Sequence, residues 1–367
     1  MITPSDDYPL HQTAEPFAYA GTDRNFYDRF FFNGYSADGA VFFACALGVY
    51  PQLNIMDASF CLSLDGKQYN LRASREMIGD RLDLSLGPIR LVIEKPLHRT
   101  RLIVAENEYG LSADLVATAR HAAIEEPRFT QRQGARVQMD VTRLTQNIDW
   151  QGTLCLNGQD ITVEGCRGTR DRSWGLRPIG SPDAQPTVPP RPQQFFWLWT
   201  PCNFDTGCFF FHSNDYADGS AWNRHIQFDD FAAKSRTAIA DVEFDASYHQ
   251  GTRRVKQLSL KAGTLSARLT PRAPVFYMTG LGYLNPTWGH GMHHGALEVG
   301  FDVLDLAEAE TRLKAGAIEH IHIQALADVE VSGAGSLQKG VGVIEQLLIG
   351  PHAPSGFTDV FDKVLGE

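Results

Sequence analysis

No two of the six cysteines in this 367-residue chain stand at CxxC spacing. Cys45, Cys61, Cys155, Cys166, Cys202 and Cys208 fall mostly inside apolar, strand-like runs, where a thiol behaves as a small hydrophobe. They read as reduced and structural, which suits a cytoplasmic location rather than a disulfide framework. Long apolar runs are missing as well. The longest, Ala40 to Val49 and Cys208 to Phe211, are strand-sized and far short of the ~20 residues of a membrane helix. The opening residues, Met1 to Asp7, have neither the basic start nor the apolar core of a secretory signal. Basic residues are the minority charge, 33 against 43 acidic, for a net charge of −10. That balance excludes the clustered positive footprint of a nucleic-acid binder and favours solubility. There is no GxSxG nucleophile elbow, no phosphate-binding Gly-Lys-Ser/Thr loop and no GxGxxG between a strand and a helix. Helix signals are scarce. Asp305–Leu313 and Thr358–Leu365 are the only candidates, with Thr358 as the N-cap of the second.

Strand signals fill the rest. Phe60 to Leu64, Asp65-Gly66, then Lys67 to Leu71 reads as a hairpin with an Asp-Gly turn. Thr153 to Leu156, Asn157-Gly158, then Asp160 to Val163 reads as a second. Cys208 to Tyr216, Asp218-Gly219, then Ala221 to Phe228 reads as a third. Alternating apolar residues at Val137-Met139-Val141, Leu258-Leu260, Leu265-Ala267-Leu269 and Ile321-Ile323-Ala325 turn one face of each strand inward. The chain is therefore expected to be all-β. A proline-rich run at 179–192 breaks both helix and central strand. It divides the chain into an N-terminal β domain, 1–178, and a C-terminal one, 193–367, and each half is rich enough in hydrophobic residues to bury a core.

Four places carry candidate chemistry. Gly168-Thr169-Arg170-Asp171-Arg172-Ser173-Trp174-Gly175 packs two guanidiniums, a carboxylate and an indole between glycines. Long charged side chains are rarely buried unless paired, so the stretch reads either as a polar latch or as a site in which Asp171 is an acid. On a regular strand Arg170 and Arg172 point away from Asp171. Trp197 and Trp199 share one strand face and form either a pocket wall able to stabilise a cation or a Trp-rich core. His212 and Asn214 share a face, and Ser213 and Asp215 share the other, at the end of the aromatic strand from Cys208. His212 is the candidate acid–base group there, or a residue entering a polar turn. Trp288 to Gly295 holds His290, His293 and His294, and His320 with His322 forms an HxH pair. These read as a pocket loop, or as part of a metal site completed by Glu298 or Glu319, or as ordinary histidines. Glu345 lies in an apolar run after Gly340-Val341-Gly342, placed to meet an arginine or a pocket.

With Asp171-Arg172-Ser173-Trp174-Gly175, Trp197-Leu198-Trp199, Phe209 to His212 and Gly340-Val341-Gly342-Val343-Ile344-Glu345 in this order, the chain resembles the tandem lipocalin-like superfamily. That group holds carotenoid 1,2-hydratase, kievitone hydratase and fungal Diels–Alderases. Members usually end the first domain with Asp-His-x-Trp-Gly, and here Arg172 stands at the His position. The resemblance implies two lipocalin-like β-barrel or sandwich domains with a cavity at or near their junction, and apolar, unsaturated substrates.

The reading reached from the residues and the resemblance together is a lyase or hydratase, isomerase or cyclase, that needs no cofactor and no metal. Asp171 is expected to be the acid and His212 the base. Arg172, Trp174, Trp197, Trp199, Asn214, Asp215, Trp222, Tyr283, Trp288 and His290 are expected to line the substrate. The partner is a hydrophobic small molecule, with no nucleic acid and no stable membrane insertion, and the protein is expected to be a monomer or homodimer. Two rivals remain. One is a non-catalytic carrier, whose cavity would be lined by apolar groups alone. The other is a metal-dependent enzyme built on the histidines at 290–294 and 320–322.

Overall fold

A computed structural model describes residues 2–9, 23–77, 80, 82–182, 185, 188, 193–239, 241–333 and 337–362. The chain folds into two compact units. The first holds Met1–Pro189 and Thr279–Leu304, and the second holds Pro190–Met278 and Asp305–Glu367. Each is built on one curled antiparallel sheet, so the all-β, two-lipocalin expectation is met. Among the described residues no helix is long and apolar enough to cross a membrane.

In chain order the first unit's strands are β1 Phe26–Tyr35, β2 Phe42–Tyr50, β3 Ile55–Leu64, β4 Lys67–Glu76, β5 Ser85–Leu86, β6 Ile89–Lys95, β7 Arg99–Val104, β8 Leu111–Ala119, β9 Ile124–Glu125, β10 Phe129–Gln133, β11 Arg136–Leu156, β12 Gln159–Thr162 and β13 Arg167–Leu176. The second unit adds β14 Phe195–Asn203, β15 Gly207–Asp215, β16 Ala221–Asp230, β17 Ser235–Ala238, β18 Glu243–Tyr248, β19 Val255–Ala262, β20 Leu265–Pro271 and β21 Phe276–Tyr277. The remaining elements are β22 Leu297–Asp305, α1 Leu306–Lys314, β23 Ile323–Ser332 and β24 Gln338–Ile349. The first sheet runs β22-β4-β3-β2-β1-β13-β11-β8-β7-β6-β5, with β9, β10 and β12 also on β11. The second runs β17-β16-β15-β14-β24-β23-β20-β19-β18, with β21 on β23.

Local chemistry explains the turns. Asp65 and Gly66 take φ of 50° and 75°, and Asn157 and Gly158 take 52° and 78°. Two successive left-handed residues make the turn whose twist matches the flanking strands, so both expected hairpins form. The third joins β15 to β16. The helix expected at 305–313 is α1, capped by the Asp305 carboxylate, which accepts from Ala307 N at 3.0 Å and Glu308 N at 2.9 Å. The second expected helix does not start at Thr358. Residues 358–362 are irregular, with the Thr358 amide and hydroxyl donating to Asp362, and 363–365 lie outside the described residues.

The division into units departs from the expected one in a single segment. Residues 279–304 belong to the first unit and not to a continuous domain from 193 onward. Pairing is the reason. β22 lies beside β4, Glu76 N donates to Ala296 O at 3.2 Å, and Arg72 Nε donates to Gly280 O at 2.9 Å. Most of the proline-rich run lies outside the described residues.

Each sheet has one apolar face. Phe30, Phe32, Phe43, Phe60, Leu62 and Trp150 meet in the first core, with Phe43 and Trp150 edge-to-face at 5.2 Å. Phe196, Leu198, Phe209, Phe211, Ile226, Phe228 and Ile344 meet in the second. All six cysteines are free, as expected. Burial pushes the Cys166 thiol up to about 11 and those of Cys45, Cys61 and Cys202 higher still, so they stay protonated.

Candidate active site

The face of each sheet opposite its apolar core is polar and aromatic, and most of the candidate residues stand there. In the second unit the register sets His225, His212, Trp199, Glu345 and Gln324 side by side across β16, β15, β14, β24 and β23. The alternation that sends Phe196 and Leu198 into the core sends Trp197 and Trp199 to this other face. Both tryptophans are buried, and Trp199 packs edge-on against Phe210 at 6.2 Å. Trp197 lies 5.9 Å from the His212 ring, and its indole Nε1 donates to Glu345 Oε1 at 3.2 Å.

Glu345 is the hub of this face. Besides the indole, it accepts from His322 Nε2 at 2.8 Å and from Gln324 Nε2 at 2.7 Å. His322 is 3% exposed and Glu345 8%, so this is a buried carboxylate–imidazole pair held by two further donors. His212 is fully buried on the far side of Trp199 from it, with Nε2 3.0 Å from Asn223 Oδ1. An amide oxygen can only accept, so that contact places the His212 proton on Nε2 and makes Nδ1 the basic nitrogen.

The other expected residues of the second unit have different roles. Asn214 Nδ2 donates to Phe196 O at 3.0 Å. Asp215 receives both Arg224 Nη2 contacts, at 2.9 and 3.0 Å, and the Ser213 hydroxyl at 2.6 Å. Burial raises its carboxyl, but hydrogen bonds from His352 and Ser213 and the charge of Arg224 outweigh burial and hold it below the ordinary range. Asp215 is thus a buried ion-pair anchor. Trp222 is half-buried at the bulge where β15 and β16 lose register.

In the first unit the stretch around Asp171 separates as strand geometry demands. Arg172 is fully buried and pairs with Asp28. It also donates to Arg29 O and Tyr8 O, both at 2.9 Å, and covers the Phe30 ring. Arg170 pairs with Asp7 at 2.6 Å and donates to Gln146 Oε1 at 2.9 Å. The two arginines form the latch, while the expected substrate contact at Arg172 is taken up by interior partners. Trp174 is half-buried and follows the register parity of Arg172, opposite Asp28 and Thr142. Asp171 lies on the other face, opposite Phe31 and Thr145, where its charge acts on Tyr27, Arg29 and Arg143.

Residues that the sequence reading passed over join that face. Tyr50 donates to Asp57 Oδ1 at 3.0 Å, and Gly291 N donates to Asp57 Oδ2 at 2.7 Å. Burial lifts the Asp57 carboxyl above its ordinary value, against the lowering charge of Arg29 and these hydrogen bonds. Arg29 Nη1 sits against the edge of His290, 2.8 Å from Nδ1 and 2.5 Å from Nε2, and Arg177 Nη2 is 3.2 Å from Nδ1. Tyr283 meets the His290 ring edge-on at 4.5 Å. Trp288 instead stacks on His294 at 4.0 Å. A small cavity in this unit is lined by Asp57, Ser59, Arg72, Leu281, Trp288 and His290, among others. The available signal was a charge inside an aromatic strand, Asp28-Arg29 before Phe30-Phe31-Phe32.

The metal reading needs these histidines and a carboxylate to converge on one point. Among the described residues no group of three or more His, Cys, Asp or Glu side chains is placed to hold an ion. The histidines are committed separately. His293 meets Glu76 at 3.0 Å, His294 meets Trp288, His322 meets Glu345, and Glu319 meets Arg312. A larger cavity in the second unit shares no residue with the Trp197–Glu345 face. Its two cations are already occupied, Arg253 by Asp362 and Arg254 by Glu310 and Tyr277.

A family model described as "Family of unknown function (DUF8625)" matches residues 2–358. No curated protein matches the sequence. Among solved structures, a protein of Nitrosomonas europaea assigned as an ATTH aligns at TM-score 0.50 and 13% identity, over 92% of this chain and 98% of its own. CghA aligns at TM-score 0.50 and 9% identity, over 93% and 95%. Kievitone hydratase from Nectria haematococca aligns at TM-score 0.48 and 11% identity, over 87% and 88%. The first two alignments run nearly end to end and show a shared fold.

Proposed function

The chain belongs to this family of unknown function, DUF8625, and from that premise we propose that it is a cofactor-independent acid–base enzyme of the hydratase or cyclase type, acting on an apolar, unsaturated small molecule. One observation carries the reading. A carrier's cavity needs only apolar walls, yet the second sheet buries His212, His322 and Glu345 among Trp197, Trp199 and Phe210. Burying titratable groups is costly, and active sites are where that cost is met. The hydratase named among the similar structures fits this reaction class, which rests here on the site and not on that likeness.

In the proposed chemistry His322, held by Glu345, gives a proton to one carbon of a double bond. Glu345 orients the imidazole and stabilises its protonated form, as the carboxylate of a catalytic triad does. The indoles of Trp197 and Trp199 lower the energy of the carbocation by cation–π attraction. Water then adds to the cation while His212 Nδ1 takes the water proton, giving an alcohol. Loss of a neighbouring proton instead gives an isomer, and attack by a second double bond gives a ring. Solvent returns one proton to His322 and removes one from His212, so nothing is oxidised or reduced.

Incubation with a panel of polyenes and prenylated phenols in D2O tests the reading by mass spectrometry. The wild type is expected to incorporate deuterium at carbon in at least one of them. Glu345→Gln and His322→Gln are each expected to lower that rate by 10²-fold or more while keeping the fold. Ligands that bind and return without deuterium would favour the carrier. Asp171 as acid is a separate proposal, supported by its place opposite Phe31 on the face of the first sheet away from the apolar core of Phe30 and Phe32. Full deuterium incorporation by Asp171→Asn would remove it.

A further inference from the structure

In the second unit a cavity of about 80 Å³, open to solvent on one side, lies between the end of α1, the loop before β19 and the turn at 359–362. That is several times the space one water needs. Its wall is mostly apolar. Leu313, Ala317, Ile318, Ile321, Leu348 and Phe361 line it, and Ile318 and Phe361 are 49% and 38% exposed. The polar side chains in the wall turn their hydrogen bonds inward. Arg253 spends every N–H donor it has: Nη1 on Leu348 O and Gly350 O, Nη2 on Asp359 O and the Asp362 carboxylate, and Nε on Asp362 O. Gln346 Oε1 accepts from Val255 N at 2.9 Å, and its Nε2 donates to Arg253 O at 2.8 Å. Thr252 Oγ1 donates to His249 O at 3.0 Å and accepts from Arg254 N at 3.1 Å. Arg254 pairs with Glu310 and donates to Tyr277 Oη at 2.9 Å, and its Nε–H is buried and offers nothing to the cavity. Similar contacts fix the rims. Arg253 ties the turn that carries Phe361 to β24, and Arg312 pairs with Glu319 at 2.8 Å between α1 and the turn that carries Ile318.

A water is held well by about two to four polar partners, and a wall of this kind offers few. Replacing poorly held water by an apolar group is favourable, and so is covering the exposed parts of Ile318 and Phe361. The cations in the wall are balanced by Asp362 and Glu310, so a charged guest would lose its hydration and gain no counter-ion. We infer that this cavity is a binding site for one small, neutral, apolar molecule about the size of a single ring. No residue of its wall belongs to the Trp197–Glu345 face. The site is therefore distinct from the proposed catalytic one and stands whether or not that face is catalytic.

Methyl NMR of the full-length chain, labelled at isoleucine and leucine and titrated with toluene, tests it. The methyls of Leu313, Ile318, Ile321 and Leu348 are expected to shift saturably, while those of Ile148 and Ile226 in the two cores stay in place. Benzoate and benzylammonium, the same ring with a charge of either sign, are expected to bind about tenfold or more weakly than toluene. Ile318→Glu, at an exposed position, puts a carboxylate on the rim and is expected to weaken toluene about tenfold with the fold unchanged. Ala317→Phe fills the space and is expected to abolish the saturable shifts. Because a larger side chain at this half-buried position can disturb the fold, Ile318→Glu carries the decision. Absence of saturable shifts, shifts spread equally over the core methyls, equal affinity for benzoate, or toluene binding unchanged in Ile318→Glu would overturn the proposal.

Discussion

Asp171 and Arg172 are adjacent in sequence and opposite in role. Strand alternation alone separates their faces, and that much is legible without coordinates. What the arginines pair with is not legible, because Asp7 and Asp28 lie 163 and 144 residues away in sequence. The separation has a measurable outcome. Arg172→Ala removes the buried guanidinium that Asp28 pairs with and is expected to cost about 3–5 kcal/mol of unfolding free energy in urea. Asp171→Asn, at a half-buried position, is expected to cost well under half of that. Asp215 gives a residue-scale pH prediction. Its carboxyl lies below the ordinary 3.8 in the folded chain, so its contribution to stability is present above pH 3.8 and is lost as pH falls through the lower, folded value. Asp215→Asn is expected to be less stable at neutral pH and to flatten the acid limb of a melting-temperature profile. An unchanged acid limb would show that the Arg224 and His352 contacts do not hold that proton off.

At the scale of elements, the turns were readable because their chemistry is local. Asp65-Gly66 and Asn157-Gly158 each need two left-handed residues, and those residue types supply them. A Cβ on Gly66 meets no neighbour, so Gly66→Ala is expected to cost only the backbone term, about 1–2 kcal/mol, with the hairpin retained. The shared face of Trp197 and Trp199 followed from period-two alternation, but the line from His225 through His212, Trp199 and Glu345 to Gln324 did not. Its members come from five strands, and register across strands is fixed by the sheet and not by any one segment. Glu345 was conspicuous as a charge in an apolar run, whereas nothing in the sequence tied it to Trp197, His322 and Gln324. Arg29 and Asp57 were missed for a related reason, since a charge inside a strand does not show which side chains of neighbouring strands it meets.

At the scale of the whole molecule, the chain enters the second unit near 190, returns to the first for 279–304, and leaves it again. A split at the proline run accounts for one of these three passages. Pairing of β22 with β4 is a contact between distant segments, which composition does not signal. A protease site placed at the proline run is therefore expected to give two fragments that still co-elute on size exclusion, because the later fragment carries the strand that completes the first sheet. Fragments that separate without denaturant would contradict that sharing.

Catalysis on the polar face of the second sheet is tested most directly by a crystal structure with a ligand that the protein binds or retains through purification. The ligand's double bond is expected within about 4 Å of Trp197 and His322. A ligand seated on the apolar face instead, among Phe196, Leu198 and Phe211, with Glu345 and both imidazoles out of its reach, would contradict the enzyme reading and leave a lipocalin-like carrier in its place.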